Sequence, residues 1–204
     1  VYGFNLTSPY DVSTCSLATF QEALDTTALT NGSNAGDFDH SGSNNDDHRV
    51  QALEINDDGT KLFLTFMDAN DSDVGARLYE YNLSTPYDVS TLSIVTTAGI
   101  ELPATINGAI NPAGMRFSAN GKRIFIISHN SANAGIVQIS LDKAYDTSSF
   151  TIDGGLYLFS GIISANKEPR GVAFSASGLN LYKGRAGYYT HMTLPTTNTV
   201  SIQV

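Results

Sequence analysis

Apolar and polar side chains alternate in short runs along most of the chain. From Leu78 to Leu83, Tyr79, Tyr81 and Leu83 fall on one side and Leu78, Glu80 and Asn82 on the other. That is the two-residue period of a β-strand. The alternation stops at Ser84-Thr85-Pro86, because proline has no amide hydrogen for a ladder and favours a turn. Tyr87-Asp88-Val89-Ser90-Thr91 then leads into a second apolar run, Leu92 to Val95. Three further stretches follow another grammar of strand, glycine turn and strand: Val50–Thr65, Pro112–Ile127 and Pro169–Tyr182. Their turns end in Gly59, Gly121 and Gly178, and Asp-Gly and Asn-Gly are hairpin signals because these residues accept positive φ. Leu53, Ile55, Leu62, Leu64 and Phe66 are the expected apolar face of the first hairpin. Met115, Phe117, Ile124 and Ile126 are that of the second.

Both patterns recur. The string LYEYNLSTPYDVST at positions 78–91 has a near-copy, VYGFNLTSPYDVST, at positions 1–14 and a worn copy, IVQISLDKAYDTSS, at positions 136–149. The turn glycines Gly59, Gly121 and Gly178 recur at a nearly even spacing. The unit is four strands in roughly 60 residues, and small antiparallel sheets repeated at such a period suggest propeller blades. The expected fold is therefore all-β, a β-propeller-like array of four-stranded antiparallel blades with about three and a half repeats in residues 1–204. Residues 1–24 supply the outer strands of a first blade. A polar insert spans 25–48, and residues 49–95, 112–159 and 169–204 form the second, third and fourth blades, the last with strands at Tyr188–Met192 and Val200–Val204. The first outer pair has no inner hairpin before it. The count therefore points to part of a larger propeller, or to copies that supply one another's missing strands as a closed oligomer or filament.

The string F-S-x-x-G-x-x-L/I-Y/F, followed by V/L-Y-x-Y-x-L-S-T-P-Y-D-V-S-T, resembles the repeats of bacterial and phage-associated β-propeller proteins of environmental origin. The resemblance runs from Val1 to about Met192. It implies the repeat architecture and brings no catalytic residues with it. Two places depart from the pattern: Arg49-Val50-Gln51-Ala52 replaces the Pro-x-Gly start of the first hairpin, and Lys143-Ala144 stands where Thr85-Pro86 stood.

Charge narrows the partners. The net value is −9, with 20 acidic residues against 11 Lys plus Arg. A nucleic-acid backbone is not the expected partner, since neutralising phosphates needs clustered cations. The charge is also divided: residues 1–88 hold 15 acidic and 3 basic side chains, and residues 89–204 hold 5 and 8. Such a molecule could join head to tail, against the plainer reading of ordinary solubilising charge. No run approaches the ~18 apolar residues of a membrane-spanning helix, so insertion is not expected. Cys15 is the only cysteine, which leaves no disulfide framework, and it is expected to pack as a small hydrophobe.

Candidate chemistry lies in the polar loops. Asp37-x-Asp39-x-Ser41 has the oxygen spacing that opens a calcium loop, and Asp46 or Asp47 could add a ligand. His48 occupies the twelfth position, where an EF-hand needs glutamate, so a true EF-hand is excluded. Asp68, Asp71 and Asp73 form a second acidic loop able to hold a cation. Calcium is thus the candidate cofactor, against the plainer reading of solvated loops. His40 and His48 lack the third soft ligand that zinc prefers, and His129 stands without a carboxylate beside it. No nucleophile elbow, phosphate loop or zinc-protease motif is present. The expectation is a non-catalytic structural or adhesion module, extracellular or on a virion surface, whose partners are other copies of itself, the rest of a longer chain, or surface glycans. The rivals are a calcium-dependent propeller enzyme acting on a sugar or lactone, and a carbohydrate-binding module, for which Tyr188 and Tyr189 could stack a sugar.

Overall fold

The computed structural model describes residues 2–21, 49–67, 76–96, 99–102, 112–128, 134–158 and 169–185. They form an all-β fold of several small antiparallel sheets. Strand β1 (Tyr2–Leu6) pairs with β2 (Cys15–Gln21) as a two-stranded sheet. A second sheet orders β3 (Arg49–Ile55), β4 (Lys61–Met67), β5 (Arg77–Leu83) and β6 (Leu92–Ile94) side by side, and β7 (Ile100–Glu101) pairs with the opposite end of β5. The third sheet orders β8 (Pro112–Phe117), β9 (Arg123–Ser128), β10 (Gly135–Lys143) and β11 (Asp146–Leu158). Strands β12 (Pro169–Phe174) and β13 (Leu181–Arg185) make a final pair.

The hairpin turns share one construction. The Gly59 amide donates to Asn56 O at 3.0 Å, Gly121 to Ser118 O at 2.8 Å, and Gly178 to Ser175 O at 2.8 Å. All three glycines have positive φ, between 67° and 73°, the left-handed region that costs a side-chain-bearing residue energy. The expectation from Asp-Gly, Asn-Gly and their third counterpart is met at each turn.

Strand β5 keeps the alternation read from sequence. Tyr79, Tyr81 and Leu83 join Leu62, Leu64 and Phe66 in one buried cluster. Leu78 faces the other way, into a cluster with Phe63, Met115, Phe117, Ile124 and Ile126 that fills the space between the second and third sheets. Both faces of β4 and β5 are therefore covered, which is why Phe63, outside the expected apolar face, is fully buried. Leu53, expected within that face, is 44% exposed. It sits on β3, the margin of its sheet, close to a register shift between Val50 and Ala52. Cys15 is also exposed rather than packed; among the described residues its strand pairs with β1 alone. Phe150–Leu158 is one continuous part of β11, whose register against β10 shifts between Val137 and Ile139, and Gly154, with φ +68°, lies within that shift.

Candidate interaction surface

The turn after β5 puts a bulky residue where glycine is normal. Tyr87 has φ +63°, and its counterparts Tyr10 and Tyr145 have φ +61° and +56°. A tyrosine in the left-handed region costs about 1–2 kcal/mol, so something local must hold it there. The next residue supplies part of the answer. Asp88 Oδ1 accepts from the Ser90 amide at 3.0 Å and from Ser90 Oγ at 2.6 Å. Asp11 does the same with Ser13 at 3.0 and 2.6 Å, and Asp146 accepts from the Ser148 amide at 2.9 Å. These bonds favour the charged carboxylate, so the Asp11 and Asp146 carboxyls lie below the ordinary carboxylate value.

The glycine turn supplies the rest. The Tyr87 amide donates to Gly59 O at 2.8 Å and its hydroxyl donates to Asp57 O. A Cβ added to Gly59 would run into the Tyr87 ring. In the third sheet the Tyr145 amide donates to Gly121 O at 2.9 Å, and its ring covers Gly121 in the same way. The second and third sheets are thus each clasped at one end, with the hairpin glycine lying under the tyrosine that follows the third strand. Tyr10 has no such seat among the described residues. It is fully exposed, and a Cβ added to Gly178 meets no atom within 4 Å.

Between the second and third sheets the contacts are dense and partly charged. Glu80, 2% exposed on β5, takes Lys61 on one oxygen. Its other oxygen accepts from the Thr147 amide at 2.8 Å and Thr147 Oγ1 at 2.6 Å, so it reaches across to the start of β11. Arg116 on β8 meets Glu54 on β3 at 2.9 Å. Burial raises the Glu54 carboxyl above its ordinary value, and the Arg116 guanidinium opposes part of that rise. Phe117 packs on Phe63 with ring centres 4.6 Å apart and on Tyr145 at 5.0 Å. Tyr145 also reaches Asp57 Oδ2 in the neighbouring sheet at 3.4 Å.

The seam between the third sheet and the β12–β13 pair is only partly filled. Phe125 packs on Phe174 with centroids 4.4 Å apart. Beside them a groove of about 340 Å³ opens between the two glycine turns, lined by Phe117, Ala119, Asn120, Phe174, Ala176 and Gly178 among others. Sequence reading did not find this groove. The signal available was the count of tyrosine turns against glycine turns.

The residues singled out from sequence for metal binding, Asp37, Asp39, Ser41, Asp46, Asp68, Asp71 and Asp73, lie outside the described residues, as do His40, His48, His129, Tyr188 and Tyr189. Among the described residues no three His, Cys, Asp or Glu side chains gather in a metal-binding group, and no helix is long and apolar enough to cross a membrane. No family model, curated protein or solved structure matches the chain.

Proposed function

We propose that the chain is a non-catalytic structural or adhesion module of β-propeller type, carried outside the cell or on a virion surface. The observation that carries this reading is Glu80. Its buried carboxylate is held on one side by Lys61, on the neighbouring strand of the same sheet, and on the other by Thr147 of the next sheet, and so is committed to joining the two. The other described acids behave alike: Asp11, Asp88 and Asp146 cap turns, and Glu54 meets Arg116 across the seam. The sheets succeed one another in chain order and meet through aromatic and ionic contacts, as blades do.

The test sets this reading against the calcium-dependent enzyme. Purified protein is incubated with panels of glycans and lactones, with calcium or with chelator. Retention of glycan without turnover is the expected result. Calcium-dependent hydrolysis that disappears in Asp39→Ala or Asp68→Ala overturns the proposal.

A further inference from the structure

The three hairpin turns share a second device beside the glycine. The position before it holds Asp58, Asn120 or Ser177. Each offers an oxygen to the amide two residues on. Thr60 donates to Asp58 Oδ1 at 3.0 Å, Lys122 to Asn120 Oδ1 at 3.1 Å, and Leu179 to Ser177 Oγ at 3.4 Å. These are the local turns that Asp, Asn and Ser favour. The three side chains differ in their chemistry. An asparagine followed by glycine loses ammonia to its own backbone readily, since glycine puts no side chain in the way of ring closure. Asn-Gly steps stand at Asn31, Asn107 and Asn120, and the first two lie outside the described residues.

The reaction needs two groups that this turn ties down. The Gly121 nitrogen gives up its proton and attacks Asn120 Cγ. The N–Cγ bond forms, the Cγ–Nδ2 bond breaks, and ammonia leaves with that proton, closing a five-membered imide. A solvent water then opens the imide. Opening at Cγ gives aspartate. Opening at the former backbone carbonyl gives isoaspartate, whose main chain is longer by one methylene. In the folded chain the Gly121 amide is already engaged, donating to Ser118 O at 2.8 Å. Asn120 Oδ1 is engaged too, by the Lys122 amide and by Ser118 Oγ at 2.8 Å. The Gly121 carbonyl accepts from the Tyr145 amide at 2.9 Å, and the Tyr145 ring lies over the Gly121 Cα. Asn120 itself is exposed, so water and hydroxide reach it. What it lacks is freedom to turn, and that comes with local opening.

We propose that Asn120 is a latent deamidation site, closed while the Tyr145 ring is seated on Gly121 and reactive when that clasp lifts. The fraction of modified chains then records how often it has lifted. The two products have different fates. Asp58 shows that a carboxylate fits this position, since its Oδ1 takes the Thr60 amide and also Thr60 Oγ1 at 2.5 Å. Aspartate at position 120 therefore rebuilds the turn. Isoaspartate displaces Gly121 along the chain, so the glycine does not return beneath Tyr145. The contacts of Tyr145 with Phe117 and with Asp57 of the neighbouring sheet are lost with that seat. Asp58-Gly59 reaches the same kind of imide from the protonated acid, losing water instead of ammonia. The Thr60 hydroxyl and amide hold the Asp58 carboxyl below its ordinary value, so the turn of the second sheet is modified more slowly than that of the third. The proposal does not rest on what the module binds.

The experiment incubates the whole chain at mildly alkaline pH, samples it over weeks and digests it with trypsin. Cleavage after Arg116 and Lys122 releases Phe117–Lys122, in which Asn120 carries the only side-chain amide. Chromatography with mass spectrometry separates its asparagine, aspartate and isoaspartate forms. The folded chain is expected to react at Asn120 about tenfold more slowly, or slower still, than the same chain in guanidinium chloride. Tyr145→Gly keeps a residue suited to φ +56° and removes the ring. It speeds the folded rate by about fivefold or more, Tyr145→Phe keeps the native rate, and Tyr87→Gly, the same change in the other clasp, stays within about twofold of it. Ser118→Ala takes one donor from Asn120 Oδ1 and speeds the rate about threefold; it carries the test if far-UV circular dichroism shows that Tyr145→Gly has not folded. Asn120→Asp leaves the urea midpoint unchanged. Equal rates in the folded and unfolded chain overturn the proposal. So does a folded Tyr145→Gly or a Ser118→Ala no faster than the native chain, an acceleration by Tyr87→Gly as large as that by Tyr145→Gly, or a destabilised Asn120→Asp.

Discussion

The Tyr87 ring lies across the bare Cα of Gly59, and the Tyr87 amide donates to the Gly59 carbonyl at 2.8 Å. One contact therefore imposes two unusual requirements, a residue without a side chain on one turn and a tyrosine at positive φ on the other. Gly59→Ala should cost about 2 kcal/mol or more, roughly 1 from the left-handed φ and the rest from displacing the ring. Tyr87→Ala should cost about 1–2 kcal/mol through lost contact. Tyr87→Gly should recover part of that loss, because glycine relieves the strain at φ +63°. Urea unfolding of the three variants checks the order. Tyr87→Gly proving less stable than Tyr87→Ala would show that strain is not part of the balance.

The Glu80–Thr147 contact joins the second sheet to the third through a buried carboxylate. Glu80→Ala strands Lys61 and two donors of Thr147, and is expected to cost about 3 kcal/mol. Thr147→Val keeps the shape and removes only the hydroxyl, for about 1 kcal/mol. The double-mutant cycle should show coupling of about 1 kcal/mol or more. Strictly additive losses would mean that the two residues stabilise their sheets separately.

Glu54 gives a pH signature. Burial raises its carboxyl above the ordinary value of 4.5 despite Arg116. Between the unfolded and folded values the native state holds more protons than the unfolded chain, so stability falls as pH rises through that window and is level above it. Asp11 and Asp146 act with the opposite sign: their carboxyls are lowered from 3.8 by hydrogen bonds, so their contribution is present above that value and is lost as pH falls through the folded values. Melting temperature against pH should therefore differ between the native chain and Glu54→Gln just above pH 4.5, with the variant flatter there and both declining at lower pH. Parallel curves in that window would refute the assignment.

Tyr81 is buried with its hydroxyl unpartnered among the described residues, and burial pushes its phenol up to about 12. Removing a buried polar atom without a partner is neutral or favourable. Tyr81→Phe is expected to leave the unfolding midpoint unchanged or raise it by up to about 1 kcal/mol in stability. Ultraviolet titration should show one fewer late-titrating phenol in the variant. A clear loss of stability would reveal a hydrogen bond at that oxygen.

The strands were legible because their period is local. Tyr79, Tyr81 and Leu83 alternate with Leu78 and Glu80 whatever surrounds them, and the hairpin glycines announce their own φ. Other features depend on what lies across space. Leu53 carries the right pattern and is exposed because it stands at a sheet margin; Phe63 breaks the expected face and is buried because a second sheet covers it. The tyrosine clasp was written in the sequence as a recurring Pro/Ala-Tyr-Asp, but reading tyrosine as a left-handed residue runs against its usual preference. Only the glycine beneath it, two strands earlier in the chain, explains the choice. The candidate metal loops carry few apolar residues, so no packing pattern in the sequence narrows which oxygens converge.

The clasp also separates length from alignment. Gly59 precedes β4 and Tyr87 follows β5, so both lie at one end of the strand pair, while residues 68–76 connect the strands at the other. In the third sheet the corresponding connector, residues 129–134, is shorter, yet the second and third strands keep the same register. Loop closure entropy grows only slowly with length, about 0.6 kcal/mol per doubling. The connectors are therefore natural places to graft foreign peptide: a guest sequence inserted at 68–76, even one that doubled the connector, would be displayed on a frame whose alignment is fixed from the far side.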